Sequence, residues 1–182
     1  MQIEMKILDS DLYPSGNNSS LSPLGYATLG ACAIDLRSAE DVTLMPGERK
    51  KIKTGIAIHT GSCSRCTRNK KHGVAALILP RSGLGTKGLV LANTVGLIDQ
   101  DYQGELIISA WNSNQSYPDE EYMDFQGSIW QKSTDDPIEI TRGDRIAQLM
   151  FTPIIRPEFK IVEEFSNSTE RGEGGFNSTG DK

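Results

Sequence analysis

Val74-Ala75-Ala76-Leu77-Ile78-Leu79-Pro80, followed at once by Arg81-Ser82-Gly83, is the longest apolar run in the chain, seven residues ending in a polar turn. That is the length of a strand buried on both faces, far short of the roughly 20 residues a membrane helix needs. Outward from it, Glu105-Leu106-Ile107-Ile108-Ser109-Ala110-Trp111 and Arg145-Ile146-Ala147-Gln148-Leu149-Met150-Phe151 read as segments of the same kind. Upstream, Ile52-Lys53-Thr54-Gly55-Ile56-Ala57-Ile58 alternates after the turn Met45-Pro46-Gly47-Glu48, and Phe159-Lys160-Ile161-Val162 closes the series. No long helical period interrupts these stretches. Short strands at about 8–12-residue spacing predict an all-β fold: a sandwich, jelly roll or barrel.

The 182 residues suit one domain, 37% hydrophobic residues supply a core, and 24% charged residues are ordinary for a folded chain. With 19 Lys and Arg against 24 Asp and Glu the net charge is −5, which speaks against non-specific nucleic-acid binding. A small polyanion can still bind where a few cations converge with a metal. The N-terminal Met1-Gln2-Ile3-Glu4-Met5-Lys6 lacks a basic-then-apolar leader. Three cysteines, with Cys32 far from the other two, fit a reduced, cytoplasmic protein without membrane association. Three segments fall outside the core pattern: the polar loop Pro14 to Pro23, the long stretch Ser113 to Pro137, and the Gly/Ser/Thr-rich tail Ser166 to Lys182. The expected organisation is a β domain over 1–165 with an insertion at 113–137, then a flexible tail over 166–182.

Five stretches concentrate the chemistry. In order they are Ala33-Ile34-Asp35-Leu36-Arg37, Pro80-Arg81-Ser82-Gly83-Leu84, Gly96-Leu97-Ile98-Asp99-Gln100-Asp101-Tyr102-Gln103-Gly104-Glu105, Gly143-Asp144-Arg145-Ile146-Ala147-Gln148 and Arg171-Gly172-Glu173-Gly174-Gly175-Phe176-Asn177-Ser178-Thr179-Gly180. Together they resemble the five motifs of the trimeric dUTPases, which split dUTP into dUMP and pyrophosphate, keeping uracil out of DNA and supplying dUMP for dTMP synthesis. The resemblance spans nearly the whole chain outside 113–137. It implies a β jelly roll (β-clip) that assembles as a homotrimer, with each active site shared between subunits.

By that resemblance Asp35 holds the waters of a Mg²⁺ ion, a cation that favours oxygen ligands and often meets protein through one or two carboxylates. Arg81, Ser82 and Gly83 stand where a short helix begins and would offer a guanidinium, a hydroxyl and backbone N–H groups to the phosphates. Ser82 could equally be a simple N-cap. Asp99 corresponds to the carboxylate that orients, and deprotonates, the water attacking the α-phosphorus. Asn93, Gly96, Leu97 and Ile98 belong to a hairpin that reads uracil through backbone groups, and Tyr102 packs under the deoxyribose so that a 2′-hydroxyl finds no space. Asp101, two residues after Asp99, faces the other way if the segment is extended, and is assigned to structure. Gln148 matches a phosphate-contacting glutamine, whereas Arg145 could be a structural ion-pair former and is left out of the site. In the tail, read as a lid over the filled site, Arg171 meets the γ-phosphate, Phe176 stacks on uracil, and Ser178 and Thr179 donate to phosphates.

The chain departs from the family pattern at Ala33 and Asn177, both usually glycine; Ala33 costs little unless its φ is positive. The family's dCTP deaminase relatives share the fold but need another base pocket, and a regulatory protein on the same frame without turnover would not need Asp99, Tyr102 and Arg171 together. Two further features stand apart. His59, Cys63, Cys66 and His72 form a Cys₂His₂ set that could hold zinc or lie in a reduced, exposed loop. The acidic-aromatic segment 113–137 could contact a regulatory protein or pack only on itself.

Overall fold

The apolar run does form a strand, and the chain is organised around it. The structure, a computed structural model, describes residues 2–14, 24–62, 72–115, 120–123, 129–132 and 137–174, with backbone only for 120–123 and 129–132. Twelve strands are described: β1 (Glu4–Ile7), β2 (Ile34–Arg37), β3 (Val42–Leu44), β4 (Arg49–His59), β5 (His72–Pro80), β6 (Leu89–Leu91), β7 (Gly96–Ile98), β8 (Glu105–Asn112), β9 (Glu120–Met123), β10 (Ile129–Lys132), β11 (Ile138–Ile140) and β12 (Arg145–Ile155). A single helical turn, α1 (Ser82–Gly85), and a 3₁₀ turn at Thr60–Ser62 complete the described elements. The all-β expectation holds.

Two four-stranded antiparallel sheets, ordered β1-β4-β8-β6 and β2-β12-β5-β7, carry the fold. Along β8 exposure alternates residue by residue, burying Leu106, Ile108 and Ala110. These meet Ile52, Ile56 and Ile58 of β4, and from the other sheet Leu36, Ala76, Ile78, Ile146 and Leu149, in one shared core. Each fully buried Leu or Ile contributes about 1.5–3 kcal/mol by leaving water. β5 lies between β12 and β7, which explains its nearly continuous apolar sequence. β4 changes face at a bulge: Lys53 opposes Ile107, but the next pair is Ala57 with Glu105. Gly55 sits in that bulge at φ +73°, its N–H donating to Glu105 Oε1 at 2.9 Å while its carbonyl accepts the N–H groups of Leu8 and Asp9. Buried Tyr13 closes this end, accepting the Arg37 N–H at 3.2 Å; burial pushes its phenol upward in pKa.

Three sequence expectations change. Phe159–Val162 is not a strand; β12 ends at Ile155, and Phe159 and Ile161 are 89% and 95% exposed, having no sheet edge of their own chain to pair with. The segment 113–137 is not structureless: β9 and β10 pair antiparallel with each other and with no other described strand. Its root is fixed, because Ser113 donates from N–H and Oγ to the Gly88 carbonyl (2.8 and 3.0 Å) and Asn114 Nδ2 donates to the Lys87 carbonyl at 3.1 Å. Lastly, β6 and β7 do not pair. β6 runs beside β8 and β7 beside β5, so residues 91–96 form a corner from one sheet to the other rather than a hairpin. The loop 15–23, and the pair Cys63 and Cys66 of the zinc reading, lie outside the described residues.

Candidate active site

Antiparallel pairing of β2, β12 and β5 brings three of the five motifs to one place, since Asp35 opposes Gln148 and Gln148 opposes Leu79. Asp35 is on the outward face of β2, between buried Ile34 and Leu36. Arg81, Ser82, Gly83 and Gln148 line the same cleft of about 770 Å³. Asp35 Oδ1 receives Arg81 Nε at 3.0 Å, and Oδ2 receives Arg145 at 3.2 Å. Arg81 also donates to the Arg145 carbonyl at 2.8 Å, and Gln148 donates to the Pro80 carbonyl at 2.8 Å. Two cations and one carboxylate are thus held ready beside open space.

At α1 the cap is Arg81, in extended conformation and without a side-chain cap bond, so Ser82 is the first helical residue and not the N-cap. The N–H groups of Ser82 and Gly83 find no acceptor among the described residues, and nothing lies within 4 Å of where a Gly83 side chain would stand. Orphan donors facing an open cleft suit anionic oxygen. Ala33 fits without strain, as Thr94 is the only described non-glycine at positive φ.

The second group is the sheet-to-sheet corner. Thr94, at φ +60°, donates its N–H to Leu91 and its hydroxyl to Asn93 (3.0 and 2.6 Å), while the Val95 N–H reaches the Asn93 carbonyl at 2.7 Å. A β-branched residue in left-handed backbone costs about 1–3 kcal/mol, and strain of this kind gathers at ligand sites. Gly96 packs so near Ile78 that a Cβ would stand 3.0 Å from it. Asp99 to Tyr102 then forms a turn closed by the Tyr102 N–H on the Asp99 carbonyl at 3.2 Å, so the alternation argument for Asp101 does not apply. Asp99 is exposed and makes no ion pair among the described residues. Tyr102 lies over Gly104, its hydroxyl donating to the Glu105 carbonyl at 2.9 Å.

Asn93, Gly96, Leu97, Ile98, Asp99 and Tyr102 do not line the Asp35 cleft. Four residues along β5 at about 3.3 Å each, and three strand spacings at about 4.8 Å, put Asp99 roughly 20 Å from Asp35. Arg171 is in a third place, an exposed turn where its Nε donates to the Gly174 carbonyl at 2.9 Å. Phe176, Ser178 and Thr179 lie outside the described residues. Sequence reasoning missed Arg145, which the Gly143-Asp144-Arg145 spacing opposite Asp35 could have disclosed, and Lys87, which lines the cleft with no sequence signal to announce it.

Among the described residues no group of three or more metal-ligating side chains exists. A lone carboxylate already bonded by two arginines fits a magnesium ion held through its waters, not one chelated by protein. Of the zinc set, His59 is engaged by Glu4, with Nδ1 and Oε2 3.2 Å apart.

A family model described as dUTPase matches residues 23–117 and 123–180. Deoxyuridine 5'-triphosphate nucleotidohydrolases of Shewanella sp. (strain W3-18-1) and Shewanella baltica are each 45% identical, over 99% of this chain and 97% of theirs. Among solved structures, the Staphylococcus bacteriophage 80alpha dUTPase with dUpNHpp superposes with a TM-score of 0.70 at 30% identity, covering 98% of both chains. The dUTPase from phage phi11 of S. aureus, described as showing a species-specific insert, gives 0.63 at 28% identity over 91% of this chain and 99% of its own. Likeness in sequence from end to end and likeness in backbone course agree: this chain belongs to the dUTPase family.

Proposed function

We propose that the protein hydrolyses dUTP to dUMP and pyrophosphate by attack of water on the α-phosphorus. The observation that carries the reading is the contrast between two carboxylates: Asp35 is committed to Arg81 and Arg145, while Asp99 is exposed and unpaired among the described residues, as a water-orienting base must be. Arg81, with the N–H groups of Ser82 and Gly83, binds phosphate oxygens, and Gln148 keeps the Arg81 turn in place. The corner at Asn93 to Ile98 takes uracil, and Tyr102, fixed over Gly104, takes the sugar. A variant phage phi11 dUTPase is described in terms of a structural Mg(II) ion. In this chain Asp35 is the residue to hold magnesium, through water; bound with the substrate, the ion supplies neutralisation of triphosphate charge.

The roughly 20 Å between Asp35 and Asp99 supports a site completed between copies of the chain, as a homotrimer, with 166–182 as the lid that brings Arg171, Phe176, Ser178 and Thr179. No described helix is long and apolar enough to cross a membrane, and the bacterial relatives support a cytoplasmic enzyme. Pyrophosphate release measured on dUTP, dCTP, dTTP and UTP tests the reading, with turnover expected on dUTP alone and dependent on Mg²⁺. Asp99→Asn is expected to lose about 10²–10⁴ in kcat while still binding dUTP. Full turnover by Asp99→Asn refutes the role of Asp99.

A second role is favoured by the β9–β10 hairpin, which pairs only with itself and interrupts the family match at 118–122. Described as controlling transfer of virulence genes, the phage 80alpha relatives support reading it as a regulatory-partner site. Deletion of 116–136 should then abolish partner binding and leave dUTP kinetics intact; loss of neither ends this reading.

A further inference from the structure

The residue after Asp99 is held on three sides. The main-chain carbonyl of Gln100 accepts the Gly61 N–H at 3.1 Å, from the 3₁₀ turn that follows β4. Its carboxamide covers Gly73 at the start of β5, so closely that a Cβ there would stand 2.6 Å from Nε2 and 2.7 Å from Cδ. Its Oε1 accepts a hydrogen bond from the Arg156 guanidinium, just beyond the end of β12. Gly61 is equally confined, since a Cβ on it would be 3.0 Å from the Gln100 carbonyl oxygen. Two glycines therefore leave room for one glutamine. The Asp99–Tyr102 turn itself has just one described closing bond, at 3.2 Å.

We propose that Gln100, gripped by Arg156, Gly61 and Gly73, is a positioning residue that fixes the main chain of Asp99 and so the aim of its carboxylate. The proposal rests on Asp99 as the water-orienting group. An exposed carboxylate on a weakly closed turn samples many directions, and misplacement by about 1 Å can cost roughly 10²-fold in rate. Bracing the neighbouring residue restricts those directions without burying or pairing the carboxylate. Arg156 also begins the segment leading to the tail, so one contact ties the root of that segment to the turn.

The test compares Gln100→Ala, Arg156→Ala, their double variant and Arg156→Lys in dUTP turnover, equilibrium binding of the unhydrolysed analogue dUpNHpp, and Tm. Each alanine variant is expected to lose roughly tenfold or more in kcat, with analogue affinity within about twofold and Tm nearly unchanged. The double variant should be no slower than the slower single, and Arg156→Lys should recover most of kcat. Gly73→Ala, which displaces the carboxamide without removing it, should lose kcat in the same way. Unchanged kcat in Gln100→Ala, additive losses in the double variant, or losses matched by equal losses in affinity would each overturn the proposal. Asp99→Asn separates the two readings. If it is inactive while Gln100→Ala is unimpaired, the brace alone fails; if it turns over fully, the shared premise fails.

Discussion

Gly104 lacks a side chain where Tyr102 needs the space: a Cβ there would stand 2.5 Å from the tyrosine oxygen and 2.7 Å from Cζ. Gly104→Ala must lift the ring and break the bond from its hydroxyl to the Glu105 carbonyl, a loss of about 0.5–1.5 kcal/mol. Because the ring is what rejects a 2′-hydroxyl, the expected outcome is a several-fold fall in the ratio of kcat/KM for dUTP over UTP, larger than any fall in Tm would explain. Unchanged discrimination would separate Tyr102 from sugar selection. Arg145 shows the limit of reading residues singly. Its sequence neighbours suggest a strand, and only the register that sets β12 against β2 puts its guanidinium on Asp35.

The bulge in β4 makes a sharper demand, because Gly55 combines φ +73° with a would-be Cβ only 2.7 Å from Asp9 Cβ. Gly55→Ala is expected to destabilise the fold by about 1–3 kcal/mol, read as a lowered Tm and denaturation midpoint. The turns flanking this sheet give a pH signature. The Asp9 carboxyl is held below its ordinary 3.8 first by the Leu12 N–H and then by Arg142, and Glu48 below 4.5 by the Met45 N–H and then Lys50. Folded values below unfolded ones mean stability fully present above the unfolded values and lost as pH falls through the folded ones. Tm should therefore be flat above about pH 5 and decline as acid is added, less steeply in Asp9→Asn with Glu48→Gln. A Tm decline equally steep in that double variant would contradict the assignment. Element by element, β5, β8 and β12 were legible because apolar residues buried against two sheets leave an unbroken or alternating signature. Phe159–Val162 misled by the same rule: apolar alternation declares a face to be covered, not a partner to cover it. The corner at 91–96 was illegible because which strand pairs with β6 or β7 depends on segments far away in sequence, and 120–132 because its hairpin carries no clear period.

Taken whole, the chain displays half-sites that cannot meet within one copy: the Asp35 cleft, the Asp99 turn roughly 20 Å away, and Arg171 in neither. Motif order in the sequence named most of these residues but said nothing of their separation, a property of strand register. If the proposed trimer shares its sites, Asp99→Asn and a chain ending at residue 165 should each be inactive, yet regain partial turnover when refolded together, since some mixed sites receive an intact Asp99 and an intact tail. No recovery, with mixed assembly verified by mass, would rule out sharing. The anchoring of Ser113 and Asn114 on the carbonyls of Gly88 and Lys87 bears on how such a molecule can diversify. It works as a splice point: upstream of it lies the catalytic scaffold, and the outboard hairpin can be lengthened, exchanged for foreign peptide or trimmed away, as lineages gain and lose adversaries, while the phosphate loop beneath keeps its shape.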